Sequence, residues 1–214
     1  MSDNNTLKNI KKLREITGVG FKDCKIAIDE NKGDIEKSIE YLRKKGIAKA
    51  SKKMSRVASE GLVAVCKKEG SVAIIEVNSE TDFVAKNKDF IKFCTELAKI
   101  NLTQKGDLDK LKVSKMENNL TVEENLVGLI SKIGEKITIR RSKYFDNRNG
   151  MNYVYVHSEI EKNLGKIASM VKLKSIKDND VGLKLAMHIT ALNPLSIGER
   201  DLKKEILDKE KEII

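Results

Sequence analysis

Between Val72 and Leu97 the hydrophobic period of this chain changes from that of a strand to that of a helix. Val72 and Ile74 fall on one phase of an alternating apolar run, with Ile75 and Val77 on the other. Phe90, Phe93 and Leu97 then recur at i, i+3 and i+7, the spacing of one helix face. The join is the polar stretch Asn78-Ser79-Glu80-Thr81-Asp82-Phe83-Val84-Ala85-Lys86-Asn87. Ser79 and Thr81 are residue types that cap helices, and Asp82 suits the positive end of a helix dipole. A strand-to-helix corner is predicted here, the kind of position from which two rigid elements aim a side chain outward. Phe83 has two readings in that corner: an outward side chain, or the first residue of the buried stripe continued by Phe90.

A chain of 214 residues suffices for one large or two small domains. Its 40% apolar content supports a core, but 35% charged residues implies much solvated helix surface. The net charge of +10 points to an acidic partner, protein or nucleic acid. Trp is absent and only 4% of residues are aromatic, which disfavours a stacking platform for single-stranded nucleic acid. Cys24, Cys66 and Cys94 are widely spaced and odd in number, and His157 and His188 stand far apart. Neither a disulfide framework nor a metal site is expected; the cysteines read as small buried hydrophobes in a reducing compartment. The first five residues are polar, and no run approaches a membrane span, so a soluble, cytoplasmic protein is expected. No P-loop, nucleophile elbow or carboxylate pair suggests an enzyme, and no cofactor is expected.

Residues 1–46 read as three short helices. Leu7, Ile10 and Leu13 mark the first, which Thr17-Gly18-Val19-Gly20 stops. Cys24, Ala27 and Ile28 mark the second, ended by Asn31-Lys32-Gly33. Asp34 is a suitable N-cap for the third, with Ile35, Ile39 and Leu42 on one face and Gly46 suited to C′. Residues 47–56 follow as a basic linker, helical or partly so. Residues 1 to 56 carry fifteen basic and eight acidic side chains, and thus seven of the ten net positive charges. This lopsidedness favours docking over a merely solvated face.

A first core subdomain is expected over 57–140 and a partial second over 141–214, giving an α+β fold with antiparallel sheet packed against helices. Gly61–Cys66 and Val72–Val77 flank a turn at Glu69-Gly70 and read as a hairpin. Leu108, Leu111 and Val113 suggest a short helix or ordered loop. Thr121 with Glu124 fits a capping box, opening a helix that Gly134 ends. Arg140 and Arg141 alternate on the next strand, so one is expected to face inward and pair with an acid. Asn149-Gly150 predicts a hairpin turn between Ile137–Phe145 and Tyr153–Val156, with a further strand at about Lys166–Leu173. Val181, Leu185, His188 and Ile189 share a helical face before Pro194. On that face His188 reads as a satisfied core residue. A charged amphipathic helix from Glu199 to Ile214 closes the chain on two isoleucines, which need cover.

Four stretches in order carry a resemblance. They are Leu13–Gly20 with Asp23-Cys24-Lys25 and Gly33–Ile39, then Thr81–Asn87 after its apolar strand, then Ile133–Arg141, then Leu185–Pro194. Together they resemble the elongation factor Ts family, the nucleotide exchange factors of elongation factor Tu. The resemblance implies that residues 1–46 form a ubiquitin-associated-like module docking on the partner's nucleotide domain. It implies that Thr81, Asp82, Phe83 and Val84 form the corner that dislodges the partner's Mg²⁺. Further contacts are implied at Arg14, Val19, Phe21, Asn78 and His188. Elongation factor Tu would be the partner, through its GDP/GTP and Mg²⁺ site, with no membrane and no specific nucleic acid involved.

Two departures from the family pattern stand out. Phe21 and Lys22 replace two methionines, so Phe21 either supplies partner contact or staples onto its own bundle. Lys136 replaces the usual Asn. Longer members continue past the point where this sequence stops, so a truncated or divergent form is expected and a homodimer stays open. Two other readings compete: a basic RNA-binding or ribosome-associated module, and a helical scaffold binding ubiquitin-like partners through residues 6–46.

Overall fold

The computed structural model describes residues 2–174 and 178–213. Three helices come first: α1 (Ser2–Thr17), α2 (Phe21–Glu30) and α3 (Ile35–Lys53). Gly18 takes a left-handed φ of 66° and ends α1; Gly33, at 85°, follows α2. Asp34 caps α3 by accepting from the Lys37 N–H at 3.0 Å. Ile10, Leu13, Val19, Cys24, Ala27, Ile28 and Leu42 form a small closed core between the three.

The third helix departs from expectation at Gly46, which does not end it. α3 runs on to Lys53 because its second half lies against α7 (Val122–Ile133), where a Cβ on Gly46 would touch Ser131 and Val127 at 3.6 Å. Leu42 belongs to the bundle core, whereas Ala50 lies in the main core. One helix thus joins the two. Favourable packing along it offsets the roughly 1 kcal/mol that a mid-helix glycine costs.

The main core lies under an antiparallel sheet of order β3-β2-β1-β5-β4. β1 (Glu60–Lys68) and β2 (Ser71–Ser79) form the predicted hairpin, with Glu69 and Gly70 at φ 51° and 78° in the turn. After the one-turn helix α4 (Asp82–Ala85) comes α5 (Lys88–Thr103). It lays Phe90, Phe93, Cys94, Leu97 and Ala98 against Leu62, Ala64, Ile75 and Val77 of the hairpin. α6 (Leu108–Val113) adds Leu111 to this core. α7 opens with the expected capping box of Thr121 and Glu124 and closes at Gly134, φ 88°.

β3 (Ile137–Phe145) pairs with β2, and here a bulge alters the reading of the two arginines. The register slips between Glu76 and Val77, which face Arg141 and Ile139, so Arg140 is the extra residue. Both guanidinium groups therefore reach Glu76, at 2.8 Å from Arg140 and 2.5 Å from Arg141, and neither faces inward.

The predicted hairpin across Asn149-Gly150 does not form. β4 (Met151–Glu161) pairs with β5 (Leu164–Leu173) instead, through a turn in which Asn163 takes φ 63°. Asn149 does adopt a left-handed φ of 57°, but the link it belongs to crosses the sheet and does not return along β3. Asn147 and Asn152 pin that link to the β1–β2 turn by donating to the Glu69 and Gly70 carbonyls, at 2.9 and 2.8 Å. β5 joins β1 only at Val63–Gly165 and Ala64–Leu164, and Val65, Val72 and Val154 gather in a second small core.

α8 (Asn179–Leu192) covers β4 and β5 with its small residues. Gly182 sits on the Tyr153 ring, and the Ala186 carbonyl accepts from the Ser169 hydroxyl at 2.6 Å. Val181, Leu185 and His188 are consequently exposed. The terminal segment is shorter than expected: a 3-10 turn at Glu199–Asp201 precedes α9 (Lys204–Ile213). The Ile213 side chain and Ile214 lie outside the described residues. Among the described residues no helix is long and apolar enough to cross a membrane.

Candidate partner-docking site

The corner after β2 is held from inside and open outside. Ser79, fully buried, donates its hydroxyl to the Thr81 carbonyl at 2.9 Å and tightens the turn. Val84 and Ala85 sink into the main core. On a single helical turn this leaves Asp82, Phe83 and Lys86 facing out. Phe83 is 75% exposed and takes no part in the stripe that begins at Phe90. The Lys86 ammonium lies 5.9 Å from its ring centroid and 3.5 Å from the Asp82 carboxylate. α5 then begins under a cap from Asn87, whose side-chain oxygen accepts from the N–H groups of Asp89 and Phe90.

Thr81 occupies the N-cap position of α4, yet its hydroxyl caps nothing there. Its N–H and Oγ1 both donate to the Glu135 carboxylate, at 3.0 and 2.8 Å. Glu80 reaches the other way and accepts from the Lys136 N–H at 2.5 Å and from Arg56 at 3.2 Å. The Lys136 N–H, and then Arg56, hold the Glu80 carboxyl below the usual range. The Lys136 ammonium donates to the Met54 and Arg56 carbonyls at 2.7 Å, and Lys53 donates to the Gly134 carbonyl. The segment leaving α3 is thereby fastened to the corner's supports.

The first bundle also borders this face. The α1–α2 turn at Gly18 rests on the Lys132 side chain, 3.1 Å from where a Cβ would stand. Lys132 in turn pairs at 2.7 Å with Asp89, in the first turn of α5. Phe21, the first residue of α2, is 45% exposed. Arg14 is exposed on the last turn of α1, whereas Val19 is buried in the bundle core. Asn78 is also inside; its Nδ2 donates to the Glu60 carbonyl at 3.0 Å. His188 is exposed on α8, whose sheet contacts are at least two strands from β2. It stands beside Val181, Leu185 and Leu192, with Leu195 and Ile197 further along, all exposed.

Sequence reasoning passed over Glu80, Glu135 and Arg56 as supports of the corner. The signal was present, because Glu135 lies within Ile133–Arg141 and Glu80 immediately precedes Thr81–Asn87. Among the described residues no group of three His, Cys, Asp or Glu side chains could hold a metal ion. The Cys94 thiol is fully buried, and burial pushes its pKa well up.

Residues 80–214 match the family model described as Elongation factor TS. The chain is 43% identical to an elongation factor Ts of Methylobacterium nodulans, over 99% of its own length and 70% of that protein's. It belongs to the elongation factor Ts family. A relative of the same name from Xanthobacter autotrophicus is 44% identical over 96% of this chain and 68% of its own. One from Parvibaculum lavamentivorans is 40% identical over 98% and 70%. The chain thus spans about seven tenths of the length of these relatives. Its role lies in the elongation phase of protein synthesis.

Proposed function

We propose that this chain binds elongation factor Tu in its GDP form and promotes GDP release by disturbing the Mg²⁺ and phosphate site. It then stays on the empty form until GTP binds. The observation that carries this reading is the corner itself, in a member of this family: an exposed Phe83 and Asp82 on a turn anchored by buried Val84 and Ala85. A large apolar side chain left in water on a rigid support stands ready to be buried elsewhere. Inserted between partner helices, Phe83 contributes about 1.5–3 kcal/mol of apolar burial. Asp82 brings a carboxylate toward a cation that tolerates little change in its oxygen shell.

Docking is shared. The first bundle, with most of the net positive charge, meets the nucleotide domain through Arg14, Phe21 and the Gly18 turn, on the face that the corner also occupies. Val19 supports that turn from within. Asn78, bonded to β1, fixes the strand end from which the corner departs. The exposed ridge of His188, Val181 and Leu185 meets another part of the partner. The chain performs no bond-making step of its own. Exchange follows from linkage: a factor that prefers the empty partner weakens nucleotide binding by the same factor that nucleotide weakens its own. Release of a fluorescent GDP analogue tests the reading. The parent accelerates release, and Phe83→Ala, unchanged in fold, loses most of that acceleration; equal rates for the two would reject the role of the corner.

A further inference from the structure

Two loops far apart in sequence hold one another by a crossed pair of bonds. Glu80 accepts the backbone N–H of Lys136, the residue after Glu135, at 2.5 Å. Glu135 accepts the backbone N–H of Thr81, the residue after Glu80, at 3.0 Å, and the Thr81 hydroxyl at 2.8 Å. Each glutamate therefore fixes the peptide that follows the other. Carboxylate acceptors make these bonds stronger than neutral ones, and both Thr81 donors fall on a single carboxylate. The cost to local helix stability is visible, since Thr81 stands at the N-cap of α4 but gives that helix no side-chain bond.

We propose that Glu135 is a positioning residue for exchange, acting through Thr81 on the direction in which Asp82 and Phe83 leave the corner. This inference rests on the functional reading above. The fold does not need this brace to hold the turn in the core, because Val84, Ala85 and the Ser79 hydroxyl already do so. The brace instead sets the backbone on the solvent side, one residue before the two side chains that insert. A misplacement of about 1 Å at a working site costs on the order of 100-fold in rate. Lys136 extends the brace to the Met54 and Arg56 carbonyls, so the end of the segment carrying the first bundle shares the corner's support.

The test is a series in the full chain: parent, Glu135→Ala, Glu135→Gln, Phe83→Ala and the double variant Glu135→Ala/Phe83→Ala. Release of a fluorescent GDP analogue from elongation factor Tu is measured against factor concentration, with circular dichroism melts alongside. Glu135→Ala lowers the maximal release rate roughly 10- to 100-fold while the half-saturating concentration stays close to the parent's. Glu135→Gln, which keeps one acceptor oxygen, falls between. In the Phe83→Ala background the Glu135 substitution costs less than it does alone, because the part of its effect that passes through Phe83 is already lost and only the part through Asp82 remains. The Thr81 amide resonance, read without any partner, moves in Glu135→Gln, where its charged acceptor is replaced by a neutral amide.

A parental rate for Glu135→Ala, multiplying losses in the double variant, or an unmoved Thr81 resonance would overturn the inference. So would a Glu135→Ala defect traceable to unfolding alone with Glu135→Gln at the parental rate. These results leave a fast parent and a slow Phe83→Ala standing. A parent that does not accelerate release overturns the functional reading first, and this inference with it.

Discussion

Phe83 and Val84 are neighbours in sequence with opposite duties, and the opposition is testable side chain by side chain. Phe83 is 75% exposed and Val84 is 3% exposed in the main core. Phe83→Ala is expected to change stability by less than about 0.5 kcal/mol, the range of surface substitutions. Val84→Ala removes two buried carbons and is expected to cost about 1.5–3 kcal/mol. A chemical denaturation series on the two variants checks this pair. The direction of Phe83 was not legible in the sequence, because its seven-residue spacing to Phe90 also fits a continued helix stripe. What decided it was a break: Asn87 caps a new helix between the two phenylalanines and resets the phase. Asn is itself a capping residue type, so a second helix start at Asn87 is consistent with the sequence.

Among the elements, the helices with caps and the β1–β2 hairpin were legible because their signals are local. The β3–β4 link misled because Asn-Gly specifies a turn but not where the next strand goes. Its tie to the β1–β2 turn depends on Asn147 and Asn152, whose bonds join residues 78 and 82 positions apart in sequence. That link carries its own pH signature. Lys172 at 2.5 Å, with Arg148 at 2.9 Å, lowers the Asp146 carboxyl from 3.8 to about 2. A carboxylate depressed on folding adds stability above its unfolded pKa and loses it as pH falls through the folded value. Asp146→Asn should therefore melt lower than the parent at pH 6 to 7, and the gap should close as pH approaches 2.

Two glycines separate element from contact. At Gly46 an added Cβ meets Ser131 and Val127 at an ordinary 3.6 Å within a helix, so Gly46→Ala should raise stability by up to about 1 kcal/mol. At Gly182 the Cβ would stand 2.3 Å from the Tyr153 ring, so Gly182→Ala should lower the melting temperature by prising α8 from β4. The sequence showed α8 as a helix with an apolar face. It did not show that the small residues Gly182 and Ala186 pack inward and leave the larger apolar face outside.

For the whole molecule, charge and shape divide the work. Seven of ten net positive charges lie in residues 1 to 56, on a bundle that α3 joins to the main core without a break. If this charge steers docking on an acidic surface, association slows as ionic strength rises, while the maximal release rate from the formed complex changes little. Stopped-flow release at several salt concentrations separates the two effects. The class of fold and the corner's place in it were readable from residue order; the joining role of α3 was not, since only packing on α7 carries that helix past Gly46.

Whether the exposed corner drives exchange is decided by the rate of nucleotide release at saturation. Fluorescent GDP is released from elongation factor Tu in the presence of saturating parent chain or saturating Phe83→Ala. Rapid release is expected with the parent and, from the apolar burial lost, a roughly 10- to 100-fold smaller maximal rate with the variant. Indistinguishable rates from two equally folded chains would contradict it.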